Sequence, residues 1–252
     1  MLSKFFMVLV LVFSLESSAI ELEIKFQDIT YGNMNYKKLN GFMASPKEMG
    51  SYPALILIHE WWGLNDDIKA KAKKFAKLGY VTLAIDLYGG KSSTNRADAK
   101  VYASTVRQNQ SKAFENIKKA LKFIKNKNNV IQDRVGSIGW CFGGGWSYQI
   151  AKNNLGVKSS VIYYGRFNPK DDLQKMRADI IGHFAQTDRS ISIDNVKEFQ
   201  VKLKTLKGNH EVYIYPNTSH GFASRQGSNK KYVKDAADLA WDRTISFLKS
   251  NL

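Results

Sequence analysis

A chain of 252 residues, 44% hydrophobic, 24% charged and 12% aromatic, is long enough to bury one large core and does not have the composition of a disordered or fibrous polymer. Its single cysteine excludes an internal disulfide framework. The formal charge of +16 raises nucleic acid and anionic membranes as partners, but the lysines are dispersed over helical segments (Lys69, Lys71, Lys73, Lys74 and Lys77; Lys118, Lys119, Lys122, Lys125 and Lys127) with no nucleic-acid motif, so no specific nucleic-acid partner is expected.

Residues 1–19 carry one early cation (Lys4), an apolar run from Phe5 to Leu15, and Ser17-Ser18-Ala19 with small residues where a signal peptidase reads. The run is short for a bilayer span and no stop-transfer segment follows, so a cleaved export signal is expected, with an uncleaved anchor as the alternative. The protein is then periplasmic or secreted, with no transmembrane segment after cleavage. One domain occupies residues 20–252.

Ile20 to Phe26 alternates apolar and charged residues, and Lys38 to Ala44 is a second extended candidate, which predicts an antiparallel entry hairpin. Pro53 to Ile58 is a continuous apolar run, the signature of a parallel strand buried on both faces. It ends at His59-Glu60-Trp61-Trp62-Gly63. A helix follows from Asn65 or Asp66, with Ile68, Ala72, Phe75 and Ala76 on one stripe and Gly79 closing it. Tyr80 to Leu87 is the next buried strand. A Gly/Ser/Thr-rich loop then leads into helical sequence from about Arg96 to Lys127, in which Phe114, Ile117, Leu121 and Ile124 hold helical spacing.

The stretch Arg134 to Ser147 comes next. An apolar strand runs into Gly139-Trp140-Cys141-Phe142-Gly143 and then into a helix, predicted over Gly144 to Asn154. This is the order of a nucleophile elbow, G-x-S-x-G, with the serine replaced by the chain's one cysteine. A buried free cysteine on a glycine-rich turn is the competing reading. Strands at Ser159 to Tyr164, Asp179 to Ala185 and Glu211 to Tyr215, and helices at Asp194 to Leu206 and Lys230 to Leu252, complete the alternation. The predicted class is α/β, a doubly wound, mostly parallel sheet with helices on both faces and no large cap domain.

In such sheets ligands bind beyond the carboxyl ends of the strands. Glu60 with Trp61, Cys141, Asp188 and His220 all follow apolar runs, and Cys141, Asp188 and His220 stand in the chain order of an α/β-hydrolase triad. His183 lies inside a strand and His210 before one, so both read as structural. Asp194 is the competing acid but fits better as a helix N-cap. Within this triad His220 keeps Cys141 as the attacking thiolate, Asp188 orients the imidazole, and the backbone N–H groups of Phe142 and Trp61 form the oxyanion hole. A thioacyl-enzyme forms and water hydrolyses it, which suits activated esters or lactones.

With His59-Glu60-Trp61-Trp62-Gly63-Leu64-Asn65, Asp86-Leu87-Tyr88, Gly139-Trp140-Cys141-Phe142-Gly143-Gly144, Tyr163-Tyr164-Gly165, Asp188 and His220-Gly221-Phe222, the chain resembles the dienelactone hydrolase (carboxymethylenebutenolidase-like) family from about residue 22 to its end. The resemblance implies a Cys-Asp-His triad and a gating role for the carboxylate matching Glu60, which takes part in generating the thiolate when substrate arrives. It implies no metal and no cofactor. Family members place substrate-holding arginines at the positions occupied here by Gly90 and Ser224. Lys91, Arg166 and Arg225 are candidate replacements, and Trp62, Tyr88, Trp146 and Tyr164 are candidate substrate contacts. A monomeric hydrolase of small esters or lactones is expected, with a non-catalytic small-molecule-binding protein on the same scaffold as the alternative.

Overall fold

The computed structural model describes residues 21–224 and 231–252. The expected export signal and Arg225 lie outside the described residues. Strands β1 (Ile24–Met34) and β2 (Lys37–Pro46) form the entry hairpin, longer than its sequence pattern indicated. The two residues between them, Asn35 and Tyr36, both have positive φ (48° and 61°), the requirement of the tight hairpin turn whose twist matches its strands. Strand β3 (Tyr52–Ile58), helix α1 (Asp66–Lys77) and strand β4 (Val81–Ile85) follow, then helices α2 (Arg96–Gln108) and α3 (Gln110–Lys125).

The later elements are β5 (Val130–Trp140), α4 (Phe142–Lys152), β6 (Ser159–Tyr163), β7 (Asp179–Ala185), α5 (Ile193–Lys204), β8 (His210–Tyr215) and α6 (Lys234–Asn251). They build one eight-stranded sheet in the order β1-β2-β4-β3-β5-β6-β7-β8. All pairings from β4 to β8 are parallel, and β2 runs antiparallel to both β1 and β4.

Burial on both faces explains the unbroken apolar strands. In β3, Ala54, Ile56 and Ile58 point into the core shared with α3, α4 and α5, while Leu55 and Leu57 point into the core shared with α1 and α6. Because successive side chains of a strand face opposite ways, both sets must be apolar.

The helical region from Arg96 to Lys127 is divided into two helices at Asn109 (φ −116°, ψ 50°), whose side-chain amide donates to the Thr105 carbonyl, and one local expectation is corrected. The break lets α3 cover the sheet while α2 packs on α3 and stands beside the strand ends. At α5 the cap is Ser192, whose hydroxyl accepts from the Asp194 N–H. Asp194 sits inside the first turn, where its charge suits the helix dipole.

The sheet order reverses between β3 and β5, since β4 lies on one side of β3 and β6 on the far side of β5. A crevice opens at such a point. Ile58 pairs with Gly139 in register, so Glu60 and Cys141 leave the sheet side by side.

Candidate active site

Cys141 occupies the single residue between β5 and α4, with φ 54° and ψ −109°, a conformation that side chains rarely adopt. Its flanking glycines explain how the turn is tolerated. A Cβ on Gly139 would lie 2.1 Å from the Gly143 carbonyl oxygen, and one on Gly143 would lie 2.1 Å from that of Ile58. The turn therefore closes only with glycine at both places, and it holds the thiol at the N-terminus of α4.

His220 and Asp188 come to the same point from the loops after β8 and β7. His220 Nε2 lies 3.0 Å from Cys141 Sγ and His220 Nδ1 lies 2.7 Å from Asp188 Oδ2. The Asp188 side chain is 1% exposed, and its other oxygen accepts the Ser190 N–H at 2.7 Å. Burial alone would push the His220 imidazole down, but hydrogen bonds to Asp188 and Cys141 outweigh it and raise the ring to about 10.

Glu60 is 4% exposed. Its Oε2 accepts the Ser224 hydroxyl at 2.8 Å and its Oε1 the Tyr164 hydroxyl at 3.4 Å. Burial pushes this carboxyl above its usual range, against the opposing pull of Lys71 and Ser224. Ser224, at one of the arginine positions, thus ties down Glu60 directly. Gly90, at the other, has φ 89° and donates its N–H to Asp86, so an arginine there would be held in the left-handed region.

His59 is a residue whose part the sequence did not reveal. It is fully buried, and burial pushes its imidazole below the usual range. Its Nε2 accepts the Leu87 N–H at 3.2 Å, which leaves Nδ1 as the protonated nitrogen, and Nδ1 donates to the Glu60 carbonyl at 2.6 Å. The ring stacks on Phe142, 5.6 Å between centroids and 11° between planes. One side chain therefore links the end of β3, the end of β4 and the residue after the cysteine.

A cavity of about 700 Å³ opens over these groups, lined by Glu60, Trp61, Trp62, Cys141, Phe142, Arg166 and His220 together with one face of α2. Residues 39–252 match the dienelactone hydrolase family. The chain belongs to the dienelactone hydrolase family. It is an ester and lactone hydrolase of the α/β-hydrolase fold. It is 31% identical over 224 residues to "Protein usf" of Aquifex pyrophilus, covering 86% of this chain and 96% of that one. It is 26% identical over 223 residues to the "Probable 2-oxo-3-(5-oxofuran-2-ylidene)propanoate lactonase" of Bradyrhizobium sp, covering 84% and 89%. Among solved structures, the "Dienelactone Hydrolase-like Promiscuous Phospotriesterase P91 from Metagenomic Libraries" superposes with a TM-score of 0.80 at 19% identity, covering 90% of this chain and 98% of that one.

Within this member of the family the expected substrate contacts divide. Trp62 and Arg166 line the cavity. Trp146, Tyr88 and Tyr164 are buried rather than among its lining residues. Trp146 packs on Phe142 and Phe114, the Tyr88 hydroxyl donates to the Trp61 carbonyl at 3.2 Å, and the Tyr164 ring meets His220 edge-on. Lys91 lines a separate depression of about 400 Å³ with Gly90 and Asp86, its ammonium 5.6 Å from the centre of the Tyr102 ring. His183, read as structural, is fully buried between the Tyr215 and Thr244 hydroxyls at 2.8 and 2.9 Å, and burial pushes it down to about 3. Among the described residues no cluster of His, Cys, Asp and Glu has the geometry to hold a metal ion.

Proposed function

We propose that this protein is an exported cysteine hydrolase of small esters or lactones, acting through Cys141, His220 and Asp188 and a thioacyl intermediate. The single observation that carries the reading is the continuous pair of contacts, 3.0 Å from sulfur to imidazole and 2.7 Å from imidazole to carboxylate, at the floor of an open cavity. His220 takes the thiol proton, and the anionic sulfur attacks the substrate's carbonyl carbon. The tetrahedral intermediate collapses as the His220 imidazolium gives its proton to the leaving oxygen. Water, deprotonated by His220, then attacks the thioester carbonyl, and the acid is released with the thiol restored. Turnover of an ester and lactone panel by the wild type, lost with Cys141→Ala, tests this reading. Turnover that survives the substitution overturns it.

The Phe142 and Trp61 N–H groups serve as the oxyanion hole in this reading, and His59 positions the second of them. The Glu60 carbonyl and the Trp61 N–H belong to one trans peptide plane, so they point in opposite directions. Holding the carbonyl on His59 Nδ1, with the Gly63 N–H also directed at it (3.3 Å), turns the Trp61 N–H away from the His59 ring. His59→Leu is expected to lower kcat about 10²-fold, the usual cost of one oxyanion donor, with KM changed little. His59→Asn, whose amide can still donate, should recover part of the loss. Equal losses in both variants, or a loss confined to KM, would count against a positioning role.

Export rests on residues 1–19 alone. Expressed with its leader in a Gram-negative host, the protein should appear outside the cytoplasm with Ile20 as its first residue on N-terminal sequencing. Retention of Met1 would reject cleavage.

A further inference from the structure

Helix α2 presents Arg96, Lys100, Ser104 and Arg107 to the cavity, at intervals of four, four and three residues. That spacing makes one continuous stripe, and eleven helical steps from Arg96 to Arg107 place its ends about 16 Å apart. The inner end lies beside the reacting centre, because the Arg107 guanidinium sits 5.5 Å from the centre of the Phe142 ring, next to Cys141. Arg166 and Lys231 add positive charge to the same lining.

The carboxylates of the lining do not balance the cations of α2 and Arg166. Glu60 is the one carboxylate lining the cavity among the described residues, and it is buried against Ser224. Among the described residues Arg96, Lys100, Arg107 and Arg166 form no ion pair. This differs from α1, α3 and α6, where Lys71, Lys119 and Lys234 each pair with an acid four residues away. The one acid of α2, Asp98, is within reach of the Ser93 hydroxyl at 3.3 Å and is not part of the lining. Unpaired cations along one wall of a concave site attract anions, and arginine forks grip carboxylate or phosphate oxygens in pairs.

We infer that the substrate is an oligoanionic ester or lactone, with two or more carboxylate or phosphate groups laid along α2 and its reactive carbonyl at Cys141. This rests on the hydrolase reading above and adds to it the substrate's charge and reach. A single carboxylate would use only one end of the stripe. The +16 charge spread over the remaining surface does not account for a stripe aimed into the cavity.

The test uses a p-nitrophenyl ester of tricarballylate, which keeps two free carboxylates, and its uncharged dimethyl ester. At low salt the wild type should prefer the dianion in kcat/KM by about tenfold or more, since each exposed ion pair contributes about two- to fivefold. The preference should collapse at 0.5 M NaCl. The triple variant Arg96→Gln/Lys100→Gln/Arg107→Gln should lose it. A control with the same loss of charge, Lys112→Gln/Lys118→Gln/Lys122→Gln on the exposed side of α3, should keep most of it. Absence of the preference, or equal loss in both triple variants, overturns the inference.

Calorimetry with free tricarballylate and with fructose 1,6-bisphosphate separates this from failure of the hydrolase reading. Binding that the α2 variant abolishes supports the anion wall even where no ester is turned over, and the tighter ligand names carboxylate or phosphate. Absence of binding by either anion overturns it.

Discussion

Cys141→Ala is expected to lower kcat/KM for an activated ester such as p-nitrophenyl acetate by about 10⁴-fold or more, leaving only the background supplied by binding and the oxyanion hole. The size follows from how completely the turn is organised around this atom. Cys141 holds the left-handed conformation, Gly139 and Gly143 leave no room for a Cβ, and His220 Nε2 stands 3.0 Å from the sulfur. The thiol is half-buried and in no disulfide, and its one side-chain hydrogen-bond partner is His220, so its removal should leave the fold intact, which circular dichroism checks. The wild type should show a thioacyl adduct on Cys141 by mass spectrometry after rapid quenching, and the variant none. Retention of even a tenth of the activity would mean that the bond is broken by another group.

Asp188→Asn gives the second large effect and also moves a pH profile. In the wild type, burial lowers the His220 imidazole while Asp188 and Cys141 raise it, with the result at about 10. A group whose pKa is raised holds its proton until the pH passes that value. The imidazolium that protonates the leaving group therefore persists through neutral pH, and the alkaline limb of kcat/KM should fall near 10. Asparagine keeps a hydrogen-bonding atom for Nδ1 but removes the charge. Burial is then opposed by Cys141 alone, the alkaline limb should move to lower pH, and the rate at its optimum should drop about 10²- to 10⁴-fold. An alkaline limb that stays near 10 in Asp188→Asn would show that this carboxylate does not hold the imidazole charged.

The elements that carry these groups were legible in the chain for a physical reason. Pro53 to Ile58, Val81 to Ile85 and Asp179 to Ala185 are buried on both faces of a parallel sheet, and that burial demands an unbroken apolar run with a polar residue where the strand leaves the core. Such runs mark Glu60, Asp188 and the turn at Cys141 as rim residues. The break at Asn109 was not legible, because both halves of Arg96 to Lys127 have good helix formers and only packing on the sheet decides where the axis changes. The cap of α5 is ambiguous in the chain for a similar reason, since Ser192 and Asp194 are both good caps and the structure uses Ser192.

By itself the sequence determined the α/β class, the elbow at Cys141, and the order of cysteine, acid and histidine, because each depends on local pattern or on the fold's chain order. The tertiary structure decided which of the neighbours face the cavity. Tyr88, Trp146 and Tyr164 were named as contacts for being aromatic and near the motifs, yet they are buried beneath the site. Arg96, Lys100 and Arg107 look like an ordinary solvated helix face in the chain, and only the placement of α2 beside the strand ends turns them into one wall of the cavity. His59 reads as one polar residue leaving a strand, and its part depends on two backbone groups from different strand ends that only folding brings to its ring. Periodicity records which face of an element is buried. It carries no record of what a polar face is turned toward.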